Sequence, residues 1–144
     1  MKLLHNEYRH KLNDWLLLVR TWMLLFLIRT SLSLLPFNKV RKHLDWLADT
    51  FPGHQAMSTY SQERVVWAVN VAGAKLLRDK PCLTQALAVQ MLFKRRDVAS
   101  ELRIGVIKDD YGKLLAHAWV EKDGQIVIGG KDSPEEYIPL PSLD

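Results

Sequence analysis

From Lys2 to about Leu34 apolar residues crowd every turn of the chain, and the pattern reads as one or two helices stopped by Pro36. Asn38 to Phe51 carries Val40, Leu44 and Leu47 at helical spacing, with Asn38 as a cap and an end before the breaker pair Pro52-Gly53. After the polar stretch His54–Ser61, Ser61 followed by Gln62 and Glu63 signals a new helix start. Glu63 to Arg78 aligns Val66, Val69, Gly73 and Leu77 along one face, and Ala68, Ala72 and Ala74 allow close packing. Asp79-Lys80-Pro81 interrupts, and Cys82 to Asp97 reads as a further helix. The period then changes from about 3.6 to about 2. Glu101–Asp110 and Lys113–Lys122 alternate as strands around the turn Asp110-Tyr111-Gly112. Asp123-Gly124 is a two-residue hairpin signal, Gln125–Gly130 closes the hairpin, and the stretch from Glu135 supplies a terminal strand and tail. Helices followed by a small antiparallel sheet make an α+β fold. Residues 1–60 read as an N-terminal helical segment, packed on the core or docking a partner, and residues 61–144 as the core itself.

Composition narrows the classes. The 144 residues suit one domain, and 48% hydrophobic with 25% charged residues suffices for one core. A formal charge of +4 is too small to imply nucleic acid, and suits an acidic peptide equally. Lys94-Arg95-Arg96 sits at a helix C-terminus, where the dipole accounts for basic residues, so no nucleic-acid partner is expected. The single cysteine cannot form an internal disulfide, and nothing points away from the cytoplasm. The five histidines are scattered, so no metal site is expected, and without a phosphate loop no nucleotide or other cofactor is expected either.

The apolar segment Trp15–Phe37 is interrupted by Arg20 and Arg29, with only Thr21–Ile28 between them. A span needs about 20 mostly apolar residues, and a charge at the bilayer centre costs at least ~2.5 kcal/mol. The segment therefore reads first as a packed or partner-facing helix. A helix on a membrane surface ranks second, and a span last.

Cys82 and His117 carry the candidate chemistry. A thiol at a helix start sits beside unpaired backbone N–H groups and the positive end of the dipole, and both favour the nucleophilic thiolate. The same N–H groups are placed to receive an oxyanion. His117 lies 35 residues on, inside "AHAWVEKDG", on a strand just before a hairpin. A thiol nucleophile needs a base to take its proton and return it to the leaving amine. Each residue alone is more often structural, a small buried thiol or a sheet histidine; the pair in this context is not. A third group should orient the imidazole. If Lys122 pairs with Gln125, His117 falls opposite Gly130, and Asp132, two residues further with the same parity, reaches the ring if the strand bends at the glycines. Glu121 has the right parity but lies nearer the turn, and Asp123 sits at its tip.

Cys82-Leu83, Leu92–Arg96, Leu102–Val106 and His117–Glu121 fall in an order that resembles the leader peptidase of lasso peptide biosynthesis, a transglutaminase-like cysteine protease. The resemblance covers residues 62 to 139, and the chain's length resembles the standalone form. It implies a transglutaminase/papain-like core that removes the leader from a ribosomally made precursor, with Cys82 as nucleophile and His117 as base. It also implies a separate winged-helix protein that recognises the leader, and an ATP-dependent cyclase that closes the ring afterwards. An aspartate is expected shortly after the histidine; here "IVIGG" replaces the usual local acid, so the resemblance leaves the third residue open and the Cys82–His117 pair intact.

Two other readings compete. In one, the chain is a non-catalytic module that binds a peptide, a partner protein or a membrane surface through its apolar N-terminal helices; a buried structural thiol would then react slowly with iodoacetamide. In the other, the fold transfers an acyl group to an amine, leaving an isopeptide bond instead of a free N-terminus.

Overall fold

In a computed structural model of the chain, the described residues are 2–50, 60–76, 82–130 and 136–141, with the side chains of residues 2–10 not described. Among the described residues four helices precede the sheet: α1 (Lys2–Leu34), α2 (Phe37–Thr50), α3 (Gln62–Leu76) and α4 (Cys82–Lys94). The strands β1 (Glu101–Lys108), β2 (Leu114–Lys122), β3 (Gln125–Ile128) and β4 (Ile138–Pro139) form one antiparallel sheet in the order β3-β2-β1-β4. The expected α+β architecture is present, and the N-terminal stretch is one helix.

The centre of the molecule is α4. Its sequence is apolar on all sides, as suits a helix surrounded by protein, and Thr84, Ala86–Val89 and Met91–Phe93 are buried. It contacts α1, α2 and α3 as well as β1, β2 and β3. Leu102, Ala118, Val120 and Ile128 of the sheet join its residues in the core, together with Leu17, Leu25 and Ile28 of α1. Burying one such Leu, Ile or Phe side chain contributes roughly 1.5–3 kcal/mol, so the α1–α4 seam is a substantial part of the fold.

Local chemistry sets the helix ends. At α3 the Ser61 hydroxyl accepts from Arg64 N–H at 3.2 Å, the N-cap the sequence indicates. Its own backbone and the Ser61 hydroxyl hold the Glu63 carboxyl below its ordinary value. The buried face of α3 runs through Val65, Ala68, Val69, Ala72 and Gly73; Val69 and Gly73 of the expected line are buried, Val66 is partly buried against the core, and Leu77 lies outside the described residues. α2 starts one residue before Asn38, so Asn38 is in its first turn and not its cap. Burial opposes the Lys94 ammonium, but hydrogen bonds to Asp45 and Asp49 of α2, at 3.2 and 3.3 Å, hold its pKa above the ordinary lysine value.

α4 ends three residues before the expected Asp97. Val98 N–H reaches Phe93 O and Asp97 N–H reaches Lys94 O, and Asp97 takes φ 54°. This is a Schellman closure with aspartate where glycine is favoured. Asp97 is exposed, so Asp97→Gly should raise stability by about 0.5–1 kcal/mol, read as a higher urea midpoint at unchanged slope.

The Asp123-Gly124 turn has positive φ at both residues, 51° and 74°, as a type I′ hairpin requires. Lys122 pairs with Gln125 and Glu121 with Ile126, but Val120 pairs with Ile128. Val127 is therefore an extra residue on β3, a β-bulge that bends the strand.

Candidate active site

A cavity of about 630 Å³ opens between the first turn of α4, the end of α3 and the β2–β3 end of the sheet. Cys82 and His117 both line it. The thiol is half-buried on the first residue of α4, where the sequence expects it; Pro81 lies outside the described residues. His117 is 6% exposed.

The bulge changes what the histidine meets. The regular register expected from the hairpin would set His117 opposite Gly130. The extra residue at Val127 shifts the count by one beyond Val120, and the ladder ends at Ile128. The chain then turns at Gly129, φ 85°, and the Gly129 carbonyl lies 2.5 Å from His117 Nε2. A carbonyl oxygen can only accept, so Nε2 carries the proton and, in the neutral ring, Nδ1 holds the lone pair that can take a proton from a thiol. Asp132 lies outside the described residues.

Gly129 could not be another residue here. A Cβ on it would stand 2.6 Å from Ala118 O and 2.9 Å from Trp119 Cα. The close approach of β3 to β2 that brings the carbonyl to the ring depends on that missing side chain.

The match to known families agrees with this geometry. The model of the transglutaminase-like superfamily matches residues 23–142. The chain belongs to that superfamily. Neither a curated protein nor a solved structure matches it. Cysteine peptidases and acyl transferases both occur in the transglutaminase-like superfamily, and the match begins within α1.

Alternation along β2 puts His117, Trp119 and Glu121 on one face, and Ala118 and Val120 on the face that joins the core. The first three form a ladder. Trp119 lies near-parallel to the imidazole at 6.1 Å between centroids, and its indole N–H donates to Glu121 Oε1 at 2.8 Å. Arg103 of β1 sits 3.7 Å from the other Glu121 oxygen. Tyr137 flanks the imidazole at 5.3 Å, and Gly105 leaves room for the Trp119 ring and the Tyr137 Cβ. Glu121 thus holds Trp119, and Trp119 flanks the imidazole. Glu121→Ala should lower kcat about tenfold with little change in KM, because a loosened base costs orientation more than binding. Glu121→Gln keeps an acceptor for the indole and should restore most of the loss.

Sequence reasoning missed two polar neighbours in the cavity. Gln85 lies one turn after Cys82, on the same side of α4, and Asn70 reaches the cavity from α3. The Gln85 amide donates to Val69 O at 3.5 Å and occupies the space a Gly73 side chain would need. The i, i+3 spacing of Cys82 and Gln85 was available as a signal; Asn70 had none, because its relation to Cys82 is purely tertiary.

Proposed function

We propose that this chain is a cysteine peptidase that removes the leader from a lasso peptide precursor. The observation that carries the reading is the shared cavity: a thiol at a helix start and a histidine whose Nε2–H is held by a backbone carbonyl. The motif order around Cys82, Leu92–Arg96, Leu102–Val106 and His117–Glu121 narrows the substrate class within the superfamily.

In this reading the imidazole takes the Cys82 proton and the sulfur attacks the scissile carbonyl. The oxyanion of the tetrahedral intermediate forms beside the free N–H groups at the start of α4. Collapse breaks the C–N bond, and the imidazolium gives its proton to the leaving amine. Water, deprotonated by the same imidazole, then hydrolyses the thioester, releasing the leader's carboxylate and restoring the thiol. Asp132 is the acidic residue assigned to steady the imidazolium. A separate winged-helix protein holds the leader and raises the local concentration of the scissile bond, so the cavity itself need not bind tightly. The ring-closing cyclase consumes the freed amine.

The test is mass spectrometry of the cognate precursor incubated with this chain and its recognition protein. Leader and core peptides whose masses sum to the precursor plus one water support the reading. A cross-linked product, or an intact precursor under conditions where the chain is folded, overturns it.

A further inference from the structure

The outer face of α1 takes no part in the cavity. At about 100° per residue, Leu17, Thr21, Leu25 and Ile28 fall on one side of the helix and are buried. On the opposite side, from Leu12 to Leu27, an arc of about 140° contains only apolar residues. All of them are exposed, Trp15 at 61% and Leu27 at 60%, with Trp22 and Phe26 stacked on each other. The low amphipathicity of the α1 sequence therefore hides two apolar faces, one spent on the core and one turned outward.

We propose that this outer face seats on an anionic lipid surface, with α1 lying parallel to the membrane plane. Its borders are cationic. Lys11 and Arg29 lie along one edge and Arg20 along the other, all exposed. The only acid from 11 to 34, Asp14, lies off the arc and pairs with Arg64 of α3. This is the layout of an interfacial helix, with apolar and tryptophan side chains at the acyl boundary and basic chains reaching the headgroups.

The face asks for few hydrogen bonds: its side-chain donors are the indole N–H groups of Trp15 and Trp22, which suit the headgroup level of a membrane boundary. Thr30 and Ser33, which extend the same side beyond Leu27, donate their hydroxyls to the carbonyls of Phe26 and Arg29 at 2.8 and 3.0 Å. Protein interfaces carry roughly one hydrogen bond per 100–200 Å²; acyl chains offer none, and beyond its two indole N–H groups this arc needs none. Alongside it, an apolar groove of about 260 Å³ runs between Trp15 and Trp22 of α1 and Val71 of α3, with Lys75 as its charged lining residue. An acyl segment fits the groove and a lipid phosphate fits the lysine. The helix is long and apolar enough to span a bilayer, but spanning would pull Leu17, Leu25 and Ile28 out of the core. Lying on the surface keeps both faces satisfied.

The proposal stands apart from the peptidase reading and has its own test. The full chain is sedimented with phosphatidylcholine vesicles with and without phosphatidylglycerol. Binding to the phosphatidylglycerol vesicles that weakens with added salt is expected. Trp22→Glu/Phe26→Glu should lower it about tenfold or more, and Arg20→Glu/Arg29→Glu by at least about fivefold per cation removed. Tyr111→Glu, on the β1–β2 turn, should leave it unchanged. Folding is checked by circular dichroism, and the arginine pair keeps the test decisive if the apolar pair misfolds. Absence of vesicle binding, or binding indifferent to both charge pairs, overturns the proposal. So does a wild type that ignores vesicles while Trp22→Glu/Phe26→Glu blocks association with the recognition protein, which would assign the face to a protein partner.

Discussion

Cys82→Ala should abolish precursor cleavage, with a fall of about 10⁴-fold or more that places the rate below detection. The substitution removes the only thiol in the chain and no bulk that the core depends on, since Cys82 is half-buried at the cavity wall. Unfolding midpoint and circular dichroism should stay at wild-type values. His117→Ala should lose activity to a similar degree, because nucleophile and base act as one unit, and the double variant should be no worse than either single one. His117 is buried between Trp119 and Tyr137, so its removal also leaves a void, and His117→Gln is the gentler companion. Persistent cleavage by Cys82→Ala would return the thiol to a structural role.

Gly129→Ala should be nearly as damaging to activity, and for a different reason. A residue with a side chain at φ 85° is strained by about 1–3 kcal/mol. The new Cβ would also collide with backbone atoms of Ala118 and Trp119, which have no rotamer with which to yield. The β3 end must lift away, taking with it the carbonyl that holds His117 Nε2. A base misplaced by about 1 Å costs on the order of 10²-fold in rate. Both effects are measurable: kcat/KM should fall about 100-fold and the denaturation midpoint should drop by the equivalent of about 1–3 kcal/mol. Gly130→Ala is the control. Its Cβ would meet the Ile126 side chain, Cγ2 at 3.3 Å and Cβ at 3.9 Å, and the φ there is not positive. Equal damage from both substitutions would mean that the bend as a whole matters, and not the Gly129 carbonyl.

Much of the site was readable beforehand because it is local. A helix that starts at Cys82 follows from the breaker before it and the apolar run after it. The hairpin follows from Asp123-Gly124, whose positive φ angles few other pairs tolerate. His117 on the adjoining strand follows from alternation. What failed was the count across the hairpin. It assumed a regular ladder, and one extra residue at Val127 broke the pairing of His117 with Gly130 and brought the Gly129 carbonyl to Nε2; Asp132 lies outside the described residues. No periodicity along the chain records such a bulge.

The N-terminal helix shows the same division. Its length, its helical state and its apolar character lie in the residues themselves, because each turn carries them. Which side of it is buried does not, because apolar residues occur all the way round. Contact with α3 and α4 chose the face of Leu17, Leu25 and Ile28, and so left Trp15, Trp22 and Phe26 outside. In this protein the sequence alone determined the elements, the turn and the thiol and imidazole that share the cavity. The tertiary structure decided the register at Val127, the Gly129 carbonyl as the ring's acceptor and the exposed face of α1. These depend on contacts between segments distant in the chain, which local backbone preferences do not encode.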